Sequence, residues 1–332
     1  MPDPEPLPIT VLTGFLGSGK TTLLRRALTS PALSDTAVVI NELGEIAIDH
    51  HLVDFVDGSV VELPGGCLCC AVREDLARTL RGLLDRRAAG DIRTFRRIAV
   101  ETTGLADPAP ILYTLGADPM LDHCLSLAQV VTLVDAVSGA DTLDRFAEAA
   151  RQVALADTLV IGKTDLAPFG PELAAQLDRL NDRARRVIAN QADDPAGVLF
   201  GAGRPAPRLS AFEPVAAHSH GIDAFVVTLA REISRLDFAR ALGGLARDRG
   251  NDLLRVKGIV RFADRPERPA LVQAAQHALF APEWLEQWPA DWPAGDRRSR
   301  LVFVVHEIPR VEVLAHFAFA EPALWHRHIP QV

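Results

Sequence analysis

The chain has 332 residues, 48% of them hydrophobic and 23% charged, with a formal net charge of -8. That length exceeds the size at which one hydrophobic core usually stops growing, so two domains are expected. The acidic balance gives no broad footprint for nucleic acid or an anionic membrane, and no run of about 18 apolar residues is present to span a bilayer.

The chain opens on Met1-Pro2-Asp3-Pro4-Glu5-Pro6, which is acidic and proline-rich and lacks the basic and apolar regions of a secretory signal. A cytoplasmic location is therefore expected. In a reducing compartment clustered cysteines read as metal-binding or redox groups rather than a disulfide frame.

The first predicted strand, residues 9–13, runs into Gly14-Phe15-Leu16-Gly17-Ser18-Gly19-Lys20-Thr21-Thr22 and then an apolar helix start. Apolar strand, glycine loop and helix are the context a phosphate-binding P-loop requires. The glycines let backbone N–H groups turn inward around phosphates, and the helix N-terminus adds partial positive charge. Lys20 is expected to neutralise the β and γ phosphates, and Thr21 to place its hydroxyl on Mg2+.

A second strand, residues 37–41, leads into Asn41-Glu42-Leu43-Gly44-Glu45, which sets two carboxylates at a strand end. Further on, Pro64-Gly65-Gly66 delivers Cys67-Leu68-Cys69-Cys70, three of the four cysteines in one tetrapeptide. In an extended segment Cys67 and Cys69 point the same way, and a bend at Cys70 before the next helix would bring the third thiol to the same centre. Three thiolates and one N or O ligand suit zinc or another soft metal such as cobalt or iron. Glu45 is the candidate fourth ligand, ahead of His50 and His51. Simple burial or a vicinal redox pair would explain one or two cysteines better than three.

Residues 76–88 fit a helix with Leu76, Leu80, Leu83 and Leu84 on one stripe. Strands follow at residues 97–101, 129–135, 158–161 and 186–190. Strand alternating with helix argues for a mainly parallel sheet covered on both faces, with ligands at the carboxyl ends of its strands. Glu101 ends one such strand ahead of Thr102-Thr103-Gly104, where a carboxylate can hold magnesium or orient attacking water, so Glu101 joins Lys20 as a catalytic candidate. After residue 161 comes Gly162-Lys163-Thr164-Asp165, close to the guanine-selecting Asn-Lys-x-Asp element, with glycine where the asparagine stands. There Asp165 would accept the N–H groups of the base as a buried carboxylate, and the Lys163 stem would pack along its ring.

Residues 205–221, rich in Pro, Gly and polar side chains and ending near His218 and His220, read as a linker between residues 1–204 and 222–332. The distal part alternates strand (225–229), helix (237–247), strands (254–262, 270–279 and 301–306) and helix (310–317), a smaller α+β domain.

Taken together, residues 14–22, 41–45, 66–70, 101–108 and 162–165 resemble the CobW family of metal-linked GTPases, and Leu253-Leu254-Arg255-Val256-Lys257-Gly258 resembles its C-terminal domain. The resemblance covers nearly the whole chain. It implies an α/β P-loop GTPase domain joined to the smaller domain, slow intrinsic GTP hydrolysis, and a metallochaperone that hands a metal ion to a client apoprotein. It leaves room for a homo-oligomer. Related members often carry Glu in place of Ile40 and a long His-rich linker, so here the cysteines and Glu45 are left to carry the metal site. Two other readings are a nucleotide-gated metal sensor and an ATP-using small-molecule kinase.

Overall fold

The computed structural model describes residues 5–41, 60–62, 69–189, 195–200, 220–289, 292 and 295–318. The chain divides into two compact units, Met1–Ala206 and Pro207–Val332. The expected linker falls almost wholly outside the described residues.

The first unit contains β1 (Leu7–Gly14), α1 (Lys20–Leu28), β2 (Thr36–Asn41), β3 (Val60–Glu62), α2 (Cys69–Ala89), β4 (Arg97–Thr102), α3 (Ala109–Ala117) and α4 (Pro119–Cys124). It continues through β5 (Leu125–Asp135), α5 (Gly139–Arg145), α6 (Ala147–Ala154), β6 (Thr158–Gly162), α7 (Pro171–Asn181), β7 (Arg185–Ile188) and α8 (Pro195–Phe200). Among the described residues its strands form one seven-stranded sheet in the order β3-β2-β4-β1-β5-β6-β7, every pair parallel. The strand order reverses direction at β1, and in an open parallel sheet that switch point opens a crevice at the carboxyl ends of the strands.

Parallel strands are buried on both faces, which is why these read as continuous apolar runs rather than alternations. Leu12, Val38, Ala99, Val131 and Val160 meet Leu24 and Ala27 of α1 and Val198 and Leu199 of α8 in one core. The α2 stripe is confirmed: Leu76, Leu80, Leu83 and Leu84 are all buried. Each contributes about 1.5–3 kcal/mol by leaving water. Asp118 starts α4 by accepting from the backbone N–H of Met120 and Leu121, and Asn181, the last residue of α7, closes the end of α6 by sharing its amide N–H groups among the carbonyls of Val153, Ala154 and Ala156.

The second unit adds β8 (Ile222–Leu229), α9 (Arg235–Arg249), β9 (Leu253–Arg261), β10 (Pro269–Ala275), β11 (Ala278–Leu279), β12 (Glu283–Trp284), β13 (Ser299–His306) and α10 (Arg310–His316). Its sheet runs β11-β10-β9-β13-β8 with β12 on β10, all antiparallel. Alternate residues Phe225, Val227, Val256, Val260, Leu301, Phe303 and Val305 face Phe238, Leu242 and Leu245 of α9 and Val313 of α10. Ser234 caps α9 by accepting from the Asp237 N–H at 3.0 Å.

Two differences from the expected elements have local causes. The single strand expected over residues 270–279 is a hairpin, turned at Gln276 with φ 51°, so β11 folds back on β10. Helix α2 begins at Cys69, not after a bend at Cys70.

Candidate nucleotide and metal site

The glycine loop lies at the carboxyl end of β1, between β4 and β5. Gly14, Gly17 and Gly19 have φ of 144°, 71° and 100°. At Gly14 the requirement is absolute, since a Cβ would come within 2.5 Å of the Leu133 carbonyl oxygen. The Lys20 ammonium folds back over the loop, donating to the carbonyls of Gly14 at 2.9 Å and Phe15 at 3.2 Å. Lys20 is 9% exposed, so its charge is held at the loop mouth rather than trailing in solvent. Ser18 is buried, and its hydroxyl has no hydrogen-bond partner among the described residues. A cradle of turned backbone with a buried cation and an unsatisfied hydroxyl has the donor set a phosphate chain needs.

Two of the expected residues meet directly. Thr21, in the first turn of α1, donates its hydroxyl to Glu101 Oε1 at 2.6 Å. They come together because β1 and β4 are neighbours in register, with Leu12 opposite Glu101. Hydroxyl and carboxylate oxygen are hard donors, the kind magnesium prefers beside phosphate. Thr22 is exposed at the next position.

The base-side elements sit across β5. Lys163 follows β6 in the left-handed region, φ 57°, and its ammonium reaches Asp135 Oδ2 at 2.6 Å. Asp135 also accepts from the Val137 N–H at 2.7 Å and the Ser138 hydroxyl at 3.1 Å. Partial burial raises the Asp135 pKa, but the hydrogen bonds from Lys163, Val137 and Ser138 outweigh it and hold the carboxyl below its ordinary 3.8. Sequence reading did not single out Asp135; only the register that sets it opposite Gly162 reveals the pairing. Asp165 is exposed in the turn beyond, so the buried carboxylate expected there is not found. Gly162 lies hard against the phosphate loop, where a Cβ would be 3.2 Å from the Ser18 carbonyl.

The Asp135 contribution to stability is fully present above the unfolded pKa near 3.8 and is lost as pH falls through the lower folded value. Asp135→Asn should therefore melt less steeply than the unmutated chain as pH drops below about 4. Thermal melts across that range check the difference, and parallel curves would remove the assignment.

The chain matches the CobW/HypB/UreG nucleotide-binding domain over residues 8–190 and the cobalamin synthesis protein cobW C-terminal domain over residues 222–320. It belongs to the CobW family. It is similar to the zinc chaperone YjiA of Escherichia coli strain K12, at 33% identity over 323 residues, which cover 95% of this chain and 98% of the relative. The crystal structure of the zinc-bound YjiA GTPase from E. coli aligns with a TM-score of 0.67 and 29% identity over 96% of this chain and 99% of that one. A zinc-bound YjiA triple mutant, with one glutamate and two cysteines changed to alanine, aligns over the same shares with a TM-score of 0.68.

In this CobW-family chain the metal side is only partly described. Glu45, His50, His51, Cys67 and His218 lie outside the described residues. Cys69 and Cys70 open α2, and Ile40 occupies the sheet row of Glu62 and Glu101. Among the described residues no group of three His, Cys, Asp or Glu converges on one point, and no helix is long and apolar enough to cross a membrane.

Proposed function

We propose that this chain is a magnesium-dependent GTP hydrolase that carries zinc on Cys67, Cys69 and Cys70, with Glu45 as fourth ligand, and delivers it to a client apoprotein. Residues 1–204 would form the GTPase domain, 205–221 the linker and 222–332 the CobW C-terminal domain. Gly14, Gly17, Ser18, Gly19, Lys20, Thr21 and Thr22 hold the phosphates, Thr21 and Glu101 the magnesium, and Lys163 and Asp165 the guanine.

One observation carries the reading: the strand order. In sequence the cysteines follow β3, and β3 is three strand steps from β1 in the same parallel sheet. At roughly 4.8 Å per step that is about 14 Å, with both ends on one edge. A segment spanning that distance can be ordered by a γ-phosphate and released after hydrolysis.

The test is a zinc titration of the protein loaded with GDP or with a non-hydrolysable GTP analogue. Zinc should bind about 5- to 150-fold more tightly with the analogue, and by reciprocity zinc should raise analogue affinity by the same factor. Cys69→Ala should abolish the difference. Equal zinc affinity in both states would end the coupling, while binding that survives loss of all three cysteines would place zinc elsewhere, as the zinc-bound triple mutant of the relative makes worth checking. Competition with ATP in the same assay separates this reading from a small-molecule kinase.

A further inference from the structure

Residue Gln152 on α6 is 1% exposed, and its side-chain amide donates both hydrogens to backbone: to the Gly104 carbonyl at 3.1 Å and to the Ala106 carbonyl at 3.0 Å. Two carbonyl oxygens need donors, so this orientation of the amide is the chemically consistent one. Its neighbour Arg151 extends the grip, with Nη1 2.9 Å from Asp107 Oδ2. The Gln152 backbone carbonyl in turn accepts from the Thr132 hydroxyl at 2.8 Å, which fixes this point of α6 to β5.

The segment so gripped, residues 103–107, begins two residues after Glu101 and touches the phosphate loop on its other side. A Cβ on Gly104 would come within 2.6 Å of the Leu16 backbone nitrogen. Phe146, just before α6, packs on Phe15 of the loop with ring centroids 4.6 Å apart. Within the segment the Thr103 carbonyl accepts from the Ala106 N–H at 3.2 Å and the Thr102 hydroxyl at 3.1 Å. In a trans peptide the N–H of Gly104 is directed opposite that carbonyl. The amide of Gln152 thus fixes the turn that aims this N–H. Its own Oε1 is buried with no hydrogen-bond partner among the described residues, and Gln152 and Ser18 line one small cavity behind the loop. An unpaired buried oxygen is destabilising, but an apolar side chain here would leave the Gly104 and Ala106 carbonyls without this donor.

We propose that Gln152, aided by Arg151, is a positioning residue for the triphosphate: it holds residues 103–107 against the phosphate loop so that a γ-phosphate, but not a diphosphate, meets a prepared backbone. The inference rests on the GTPase reading above.

The test compares Gln152→Glu and Gln152→Ala with the unmutated chain, by titration with GDP and with a non-hydrolysable GTP analogue and by steady-state turnover. Glutamate keeps the shape but turns an acceptor toward both carbonyls. GDP affinity should stay within about twofold, analogue affinity should fall about 10-fold, and kcat should fall about 10- to 100-fold. A carboxyl buried against two carbonyls has a raised pKa, so lowering pH from about 8 to about 6 should protonate it, restore one donor and recover part of the Gln152→Glu loss. Neither the unmutated chain nor Gln152→Ala should show that rise. Equal losses for GDP and the analogue, or none, in a variant that melts normally would overturn the proposal. If both variants fail to fold, Arg151→Met carries the test: a selective loss for the analogue supports the clamp, and unchanged affinities overturn it. Preference of the unmutated chain for ATP would sink the GTPase reading instead, and the triphosphate-to-diphosphate split could still be read with ATP and ADP analogues.

Discussion

Replacing Lys20 by alanine is expected to lower GTP turnover by about 100- to 1,000-fold while leaving the fold in place. The ammonium is one of the few charges kept nearly buried among the described residues, and it donates to the carbonyls of Gly14 and Phe15. Those contacts hold it ready above the loop at no cost in reorganisation when phosphate arrives, which is where preorganised charge gains its effect. Removing it leaves the loop backbone to face the β and γ phosphates without a countercharge. The fold should tolerate the change because Lys20 contributes charge at the loop rather than core packing, and alanine is a strong helix former at the first position of α1. Phosphate release and a thermal melt of the same preparation check both halves. Turnover within threefold of the unmutated rate would remove Lys20 from the chemistry.

What could be read from the sequence was whatever is local. The phosphate loop needs only an apolar strand, three glycines and a helix start, all within residues 7–28, and the helix stripe of Leu76, Leu80, Leu83 and Leu84 is a matter of spacing alone. The contact between Thr21 and Glu101 was half legible: each residue was singled out, but 80 positions separate them and only the β1–β4 register joins them. Asp135 and Gln152 carried no signal. An acid at a strand end is common, and a glutamine between Ala149, Ala150 and Val153 reads as the polar edge of a short helix until the turn after Glu101 is seen to hang from it. Strand β3 was invisible because three residues give no periodicity, yet it extends the sheet beside β2. Helix α2 starts earlier than expected, at Cys69, where an extended segment up to a bend at Cys70 was the reading.

Glu101→Gln should bind GTP but hydrolyse it about 100-fold more slowly, and should need more magnesium to reach half its own maximal rate. The argument begins with the 2.6 Å bond in which Glu101 accepts from the Thr21 hydroxyl. A glutamine can present its carbonyl oxygen to the same hydroxyl, so the β1–β4 register and the start of α1 should survive the exchange. What it cannot supply is the negative charge. With magnesium the carboxylate would oppose the cation's charge and position water near the terminal phosphate, whereas an amide is a weaker oxygen donor and cannot take up a proton. On the proposed reading GTP binding would rest chiefly on the loop backbone and Lys20, so the loss should fall on kcat rather than on affinity. Thr21→Ala serves as the comparison: it removes the hydroxyl but leaves the carboxylate, and so should raise the magnesium requirement with a smaller drop in maximal rate. If Glu101→Gln turned over at the unmutated rate across a magnesium titration, the carboxylate would be no more than the cap of its strand, and the hydrolytic role would belong to another residue.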